Sequence, residues 1–238
     1  RVFQPQLNGK PVVVLSNNDG CIISRSYEAK DLGIAMGAPE FKVRQELKQH
    51  NIHVFSSNYA LYGDLSNRVM TLLQKFTPHV EVYSVDEAFL NFDGMAIVDY
   101  NDYGLQIKRS IQKWLSLPVC IGFAPTKGLS KVANKIAKKY QERTKGIYVI
   151  DTEEKRIKAL KWTKIEDVWG IGFRLTKKMQ AKNILTAYDF TLPHNESFIQ
   201  KEMGVVGLRL KYELEGKSVL EMEEPKDKKN IAITRSFD

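Results

Sequence analysis

The chain of 238 residues contains only two cysteines and four histidines. Cys21 and Cys120 both sit in apolar runs. Two such thiols make no disulfide framework and read as reduced, buried groups of a cytoplasmic protein. His50 and His53 lie three apart with no cysteine or carboxylate at a metal-ligand spacing, so they read as solvated loop residues rather than zinc ligands. No apolar run approaches the roughly 20 residues that a membrane-spanning helix needs, and no signal peptide is visible. A P-loop, a GxGxxG and a Ser-His-Asp order are all missing. Gly170-Ile171-Gly172 lacks the preceding strand that a dinucleotide fold requires.

What is present is an ordinary globular composition, 43% hydrophobic and 27% charged. The length suits one or two compact domains. Lys and Arg number 36 against 28 Asp and Glu, a net charge of +8, which favours a polyanionic partner.

Hydrophobic spacing sets out the elements. Pro11 to Leu15 and Cys21 to Ser24 are strand-like, and Asp19-Gly20 between them is a hairpin signal. Ser26 caps a helix from Tyr27, and Gly33 ends it. Pro39 to Gln49 reads as a helix with Phe41, Val43 and Leu47 on one side. A longer helix runs from Asn58, with Leu61, Leu65, Val69, Leu72, Leu73 and Phe76, until Pro78 closes it. Then come a strand over Val80 to Leu90, an amphipathic helix over Asp102 to Leu115 with Ile107, Ile111 and Trp114, and a strand over Val119 to Ala124, expected beside the Val80–Leu90 one. A lysine-rich helix over Leu129 to Tyr140 and a strand over Gly146 to Ile150 complete a compact α/β core. After Asp151 short helices joined by glycine turns are expected. Glu221 to Asn230 reads as a linker, and Ile231 to Phe237 as the first strand of a further domain.

Three segments carry candidate chemistry. Tyr83-Ser84-Val85-Asp86-Glu87-Ala88-Phe89-Leu90 sets two adjacent carboxylates in an apolar run. Burial there is costly unless the carboxylates are paired, hydrogen-bonded or bound to metal, and adjacent carboxylates can hold a divalent metal ion for phosphoryl or nucleotidyl transfer. The other reading ends the strand at Val85 and leaves Asp86 and Glu87 in a solvated turn. Between Thr126 and Lys145 lie Lys127, Lys131, Lys135, Lys138, Lys139, Arg143 and Lys145 against Glu142 alone. Lys131, Lys135, Lys138 and Lys139 share a helical face, and a one-sign stripe without acidic relief suggests a phosphate partner. Ile165 to Arg174 resembles a helix-hairpin-helix. Gly170-Ile171-Gly172 would turn the backbone, and Arg174, Lys177 and Lys178 follow; backbone N–H groups of such a turn can grip a DNA phosphate. An ordinary helix–turn–helix connection uses glycines in the same way.

Together, Lys10–Cys21, Tyr27-Glu28-Ala29-Lys30, Phe55–Tyr59, Tyr83–Ala88 and Val168–Gly172 resemble, in order and spacing, the Y-family DNA polymerases of the UmuC type. The resemblance implies an α+β, multidomain right-hand fold: fingers over 1–58 with adjoining palm elements, an α/β palm over 59–150, a helical thumb with the helix-hairpin-helix over 151–220, and over 221–238 a linker and the start of a little finger. It implies error-prone translesion synthesis in the SOS response, with two Mg2+ ions. Asp86 would bind both ions and Glu87 one of them. Tyr27, Lys30 and Lys138 would contact the incoming triphosphate, and Lys30 stands where many relatives carry arginine. Ile23 and Cys21 would sit over the nascent base pair. Gly170, Ile171, Gly172, Arg174, Lys177, Lys131 and Lys135 would meet DNA. Implied partners are primer–template DNA, a deoxynucleotide, a processed UmuD-type subunit, a recombinase filament and a sliding clamp, with action in the cytoplasm at the nucleoid and no membrane. A first-strand aspartate and a steric gate of the family have no counterpart in this sequence. The expectation is therefore a chain inactive or nearly so by itself. A DNA-binding module without chemistry is the competing reading, and a metal-dependent nuclease a third.

Overall fold

The computed structural model describes residues 1–224. They form two compact units, residues 1–68 and 69–224, each with its own core.

The smaller unit is built on a three-stranded sheet. β1 (Val12–Leu15) pairs antiparallel with β2 (Ile22–Arg25) and parallel with β3 (His53–Phe55). Alternation decides which face is inward, because Val13 and Leu15 are buried while Val12 and Val14 are only half so. The β1–β2 hairpin turns as expected, with Asp19 at φ 55°. Ser26 caps α1 (Tyr27–Asp31) by accepting from the Ala29 N–H, and the Val12 N–H donates to the same hydroxyl, which ties helix to sheet. In α2 (Glu40–Gln49) Leu47 enters the core with Ile34 and Ile52, but Phe41 does not share its face and is 69% exposed.

α3 (Tyr59–Leu73) runs from the smaller unit into the larger. The run over Val80 to Leu90 is not one strand. β4 (Val80–Val82) and β5 (Ala88–Leu90) pair antiparallel, and residues 83–87 are the turn between them. α4 (Tyr100–Leu115) is capped by Asp99. It buries Ile107 and Ile111 but leaves Trp114 exposed. β6 (Ile121–Phe123) and β7 (Ile147–Val149) pair in parallel across α5 (Lys127–Lys139) and α6 (Gln141–Thr144). β6 is not hydrogen-bonded to β5; the two strand pairs are separate among the described residues. They meet through side chains, with the Phe92 and Phe123 rings 5.7 Å apart. α5 lies so close on β6 that a Cβ at Gly122 would overlap the Asn134 backbone nitrogen.

The last third is helical: α7 (Glu153–Trp162), a 3-10 turn at Ile165–Asp167, α8 (Phe173–Gln180), α9 (Ala187–Thr191) and α10 (Glu196–Leu214). α10 is longer than the short helices expected, but it breaks at Gly204 (φ 61°, ψ −148°). Lys211, past the break, pairs with Glu196 at 3.0 Å, so the two halves fold towards each other. Leu129, Val132 and Ile136 of α5 pack into one cluster with Leu160, Met179, Phe190 and Leu214. The expected linker is without regular structure over 221–224, and the expected strand at Ile231 to Phe237 lies outside the described residues.

Candidate active site

The acidic pair lies at the tip of the β4–β5 hairpin. The Tyr83 and Ser84 N–H groups both donate to the Glu87 carbonyl at 3.0 Å, which closes the turn. Ser84 Oγ donates to Asp86 Oδ1 at 2.8 Å and accepts from the Asp86 N–H at 3.3 Å. Asp86 is exposed and Glu87 is partly so. The expectation of buried carboxylates is therefore corrected: Asp86 and Glu87 lie in a solvated turn, although the strand before it ends at Val82 rather than Val85, and the turn is fixed by hydrogen bonds rather than by burial. Asp86 and Glu87 offer hard oxygen donors side by side. Among the described residues no group of three or more His, Cys, Asp or Glu gathers. A pair fits a cation such as Mg2+, which is commonly held by one or two carboxylates and completed by water and substrate phosphate.

Lys131 of α5 reaches this turn. Its ammonium lies 2.7 Å from Glu87 Oε1. The lysine stripe does have acidic relief, supplied by other elements: Lys127 pairs with Glu81, Lys131 with Glu87 and Lys135 with Asp167. Lys138 and Lys139 stay exposed at the end of the helix. Cys120 and Cys21 are unpaired and half-buried, rather than buried. Burial pushes the Cys120 thiol up, against the opposing charges of Lys108 and Lys138.

In the Val168–Gly172 segment, Val168 and Ile171 anchor in the core and Gly170 turns at φ 83°. A glycine is suited to that conformation because a Cβ is strained there. Gly172 caps α8, on which Arg174 and Lys177 are exposed. The element before the turn is a three-residue 3-10 turn, not an α-helix. In the smaller unit, Tyr27 is 57% exposed and Lys30 Nζ lies 4.7 Å from its ring centroid. Ile23 faces outward from β2, and Cys21 bridges to Pro39.

Sequence reasoning gave no role to Ser84, although Ser two residues before Asp is a recognisable side-chain turn pattern. It also missed Glu81, Tyr83 and Trp169. Trp169 Nε1 donates to Tyr83 Oη at 2.9 Å across 86 residues of sequence, a separation that carries no local signal.

The solved structures that this mixed α/β architecture matches give it its class, the α+β right-hand DNA polymerase fold. The solved structure of a DinB-family error-prone DNA polymerase from Sulfolobus solfataricus matches with a TM-score of 0.74 and 28% identity, over 93% of this chain and 63% of that one. The insertion ternary complex of Dbh DNA polymerase matches at 0.77 and 27%, over 93% and 64%. The chain belongs to the impB/mucB/samB family, whose profile matches residues 1–135. Protein UmuC of Salmonella typhimurium is 45% identical over 99% of this chain and 56% of its own length. The chain thus spans about half the length of the curated relatives it matches. No helix among the described residues is long and apolar enough to cross a membrane.

Proposed function

We propose that the chain carries part of the nucleotidyl-transfer site of an error-prone translesion DNA polymerase of the SOS response. The observation that carries this reading is the Asp86–Glu87 turn, ordered by Ser84 within a polymerase fold. Asp86 would be a ligand of two Mg2+ ions and Glu87 of one. When bound, such ions supply Lewis acidity: they lower the pKa of the primer 3′-hydroxyl and offset charge on the leaving pyrophosphate. Ser84 does the positioning, since its hydroxyl holds one Asp86 oxygen and leaves the second for a ligand.

Tyr27, Lys30 and Lys138 are proposed to contact the triphosphate, and Ile23 with Cys21 to line the nascent base pair. Among the described residues the Lys30 ammonium meets a phenol ring and no carboxylate, which suits an anionic ligand. Small fingers over residues 1–58 would contact the pair loosely, and loose contact discriminates poorly against damaged templates. Gly170, Ile171 and Gly172, with Arg174 and Lys177, are proposed to hold the DNA backbone in a thumb over 151–220. Lys131 and Lys135 contribute less there, because Glu87 and Asp167 already match their charges. The palm would span 59–150, and the remaining residues would lead to a little finger. A processed UmuD-type subunit, a recombinase filament and a sliding clamp are the proposed partners, in the cytoplasm at the nucleoid.

The test is magnesium- and template-dependent binding of the correct deoxynucleotide by this chain, and its incorporation by a version extended with the family's first strand and little finger, since the chain alone is expected to be inactive or nearly so. Asp86→Ala is expected to lower incorporation by at least about a hundredfold, the scale on which lost electrostatic stabilisation acts. Duplex binding that ignores magnesium, template and Asp86 would replace this reading with a backbone-binding module.

A further inference from the structure

Lys131 is more than a pairing partner for Glu87. Three rings surround its ammonium: Tyr83 at 4.9 Å, Trp169 at 5.8 Å and Phe89 at 5.9 Å from ring centroid to Nζ. The rings lock one another. Tyr83 packs edge-on against Trp169 and Phe89, each at 5.5 Å, and the Trp169 N–H donates to the Tyr83 hydroxyl at 2.9 Å. An ordinary surface ion pair is loosely held and contributes little. This one is walled in, with the Lys131 side chain 20% exposed against 41% for Glu87.

We propose that Lys131 is a resident counter-cation of the acidic turn and competes with a divalent metal ion for Glu87. The turn carries two negative charges, Asp86 and Glu87, and Lys131 offsets one of them. A metal ion arriving at Glu87 must displace the ammonium from Oε1. The ammonium need not leave, because the ring faces still attract it once the carboxylate is taken. The turn therefore binds metal weakly until a ligand with negative charge of its own, such as a triphosphate, restores the balance. The cage makes the exchange a short swing of a flexible stem instead of an expulsion into solvent.

This inference rests on the reading of Asp86 and Glu87 as a metal-holding pair, and the experiment separates the two. Mn2+ is titrated into the 238-residue chain without DNA or nucleotide, and free ion is followed by electron paramagnetic resonance. Lys131→Met and Lys131→Gln are expected to tighten Mn2+ binding about tenfold, the effect of removing one nearby positive charge at a partly exposed site. Lys131→Arg, which keeps the charge, is expected to bind as the unaltered chain does. Asp86→Ala is expected to abolish binding in every background. Binding no tighter in Lys131→Met and Lys131→Gln, yet still lost on Asp86→Ala, overturns the competition and leaves the metal pair standing. Mn2+ binding absent throughout, or indifferent to Asp86→Ala, overturns the metal pair and this proposal with it.

Discussion

At the scale of single residues, the structure relies on a few polar groups, each holding several partners. Glu213 is fully buried, and its carboxylate accepts from the N–H groups of Gly128, Val219 and Leu220 at 2.9, 2.8 and 3.0 Å. Alanine there would leave the buried Gly128 donor and the two part-buried donors of Val219 and Leu220 without their acceptor. Glu213→Ala is therefore expected to cost about 2–5 kcal/mol, measured by urea unfolding. Tyr83→Phe keeps the ring and removes only the Trp169 hydrogen bond, so it is expected to cost about 0.5–1.5 kcal/mol in the same assay. The residue scale is also where sequence reading went furthest astray. Nothing near Lys131 in sequence hints at relief, because Glu87 stands 44 residues away. Like-charge spacing along one helix says nothing about what the fold brings to it.

At the scale of elements, most helices and the first hairpin were legible, since Ser26, Pro39 and Asp19 act locally through capping, fixed φ and left-handed backbone. The β4–β5 hairpin was not. Residues 83–87 contain no Gly, Pro or Asn, and their apolar members mimic a continuing strand. The turn is made instead by two N–H groups converging on one carbonyl and by the Ser84 hydroxyl. The close seating of α5 on β6 was equally hidden. It gives a sharp expectation: Gly122→Ala must push the helix off the strand, because backbone atoms, not a flexible side chain, fill the space. Overpacking at such a contact typically costs about 1–3 kcal/mol or more, seen as a lower urea midpoint.

At the scale of the whole molecule, the two units have separate cores, and Trp114, Trp162 and Trp169 all lie in residues 69–224. Tryptophan fluorescence therefore reports the larger unit alone, whereas far-ultraviolet circular dichroism reports both. Urea curves from the two probes are expected to have different midpoints; coincident curves would mean that the units unfold together. Acid should weaken the whole fold. Arg1 holds the Glu28 carboxyl down at about 2. Burial raises Glu215, but hydrogen bonds from Lys211 and Lys217 outweigh it and hold that carboxyl below its ordinary value of 4.5. Such groups stabilise the fold fully above the unfolded value, and the contribution is lost as pH falls below it. The melting temperature is thus expected to hold from pH 7 to about 5 and to fall below that, less steeply in Glu215→Gln. One further feature concerns force. After α10 the chain is stitched back along the larger unit: Val219 and Leu220 to Glu213, the Glu221 carbonyl to Lys127, and the Glu223 N–H to Glu81. A pull on residue 224 would load the bonds to Glu81 of β4 and Lys127 of α5 before it reached Glu213 near the end of α10, so those two act as a strain relief, like the clamp on a cable, for that helix end.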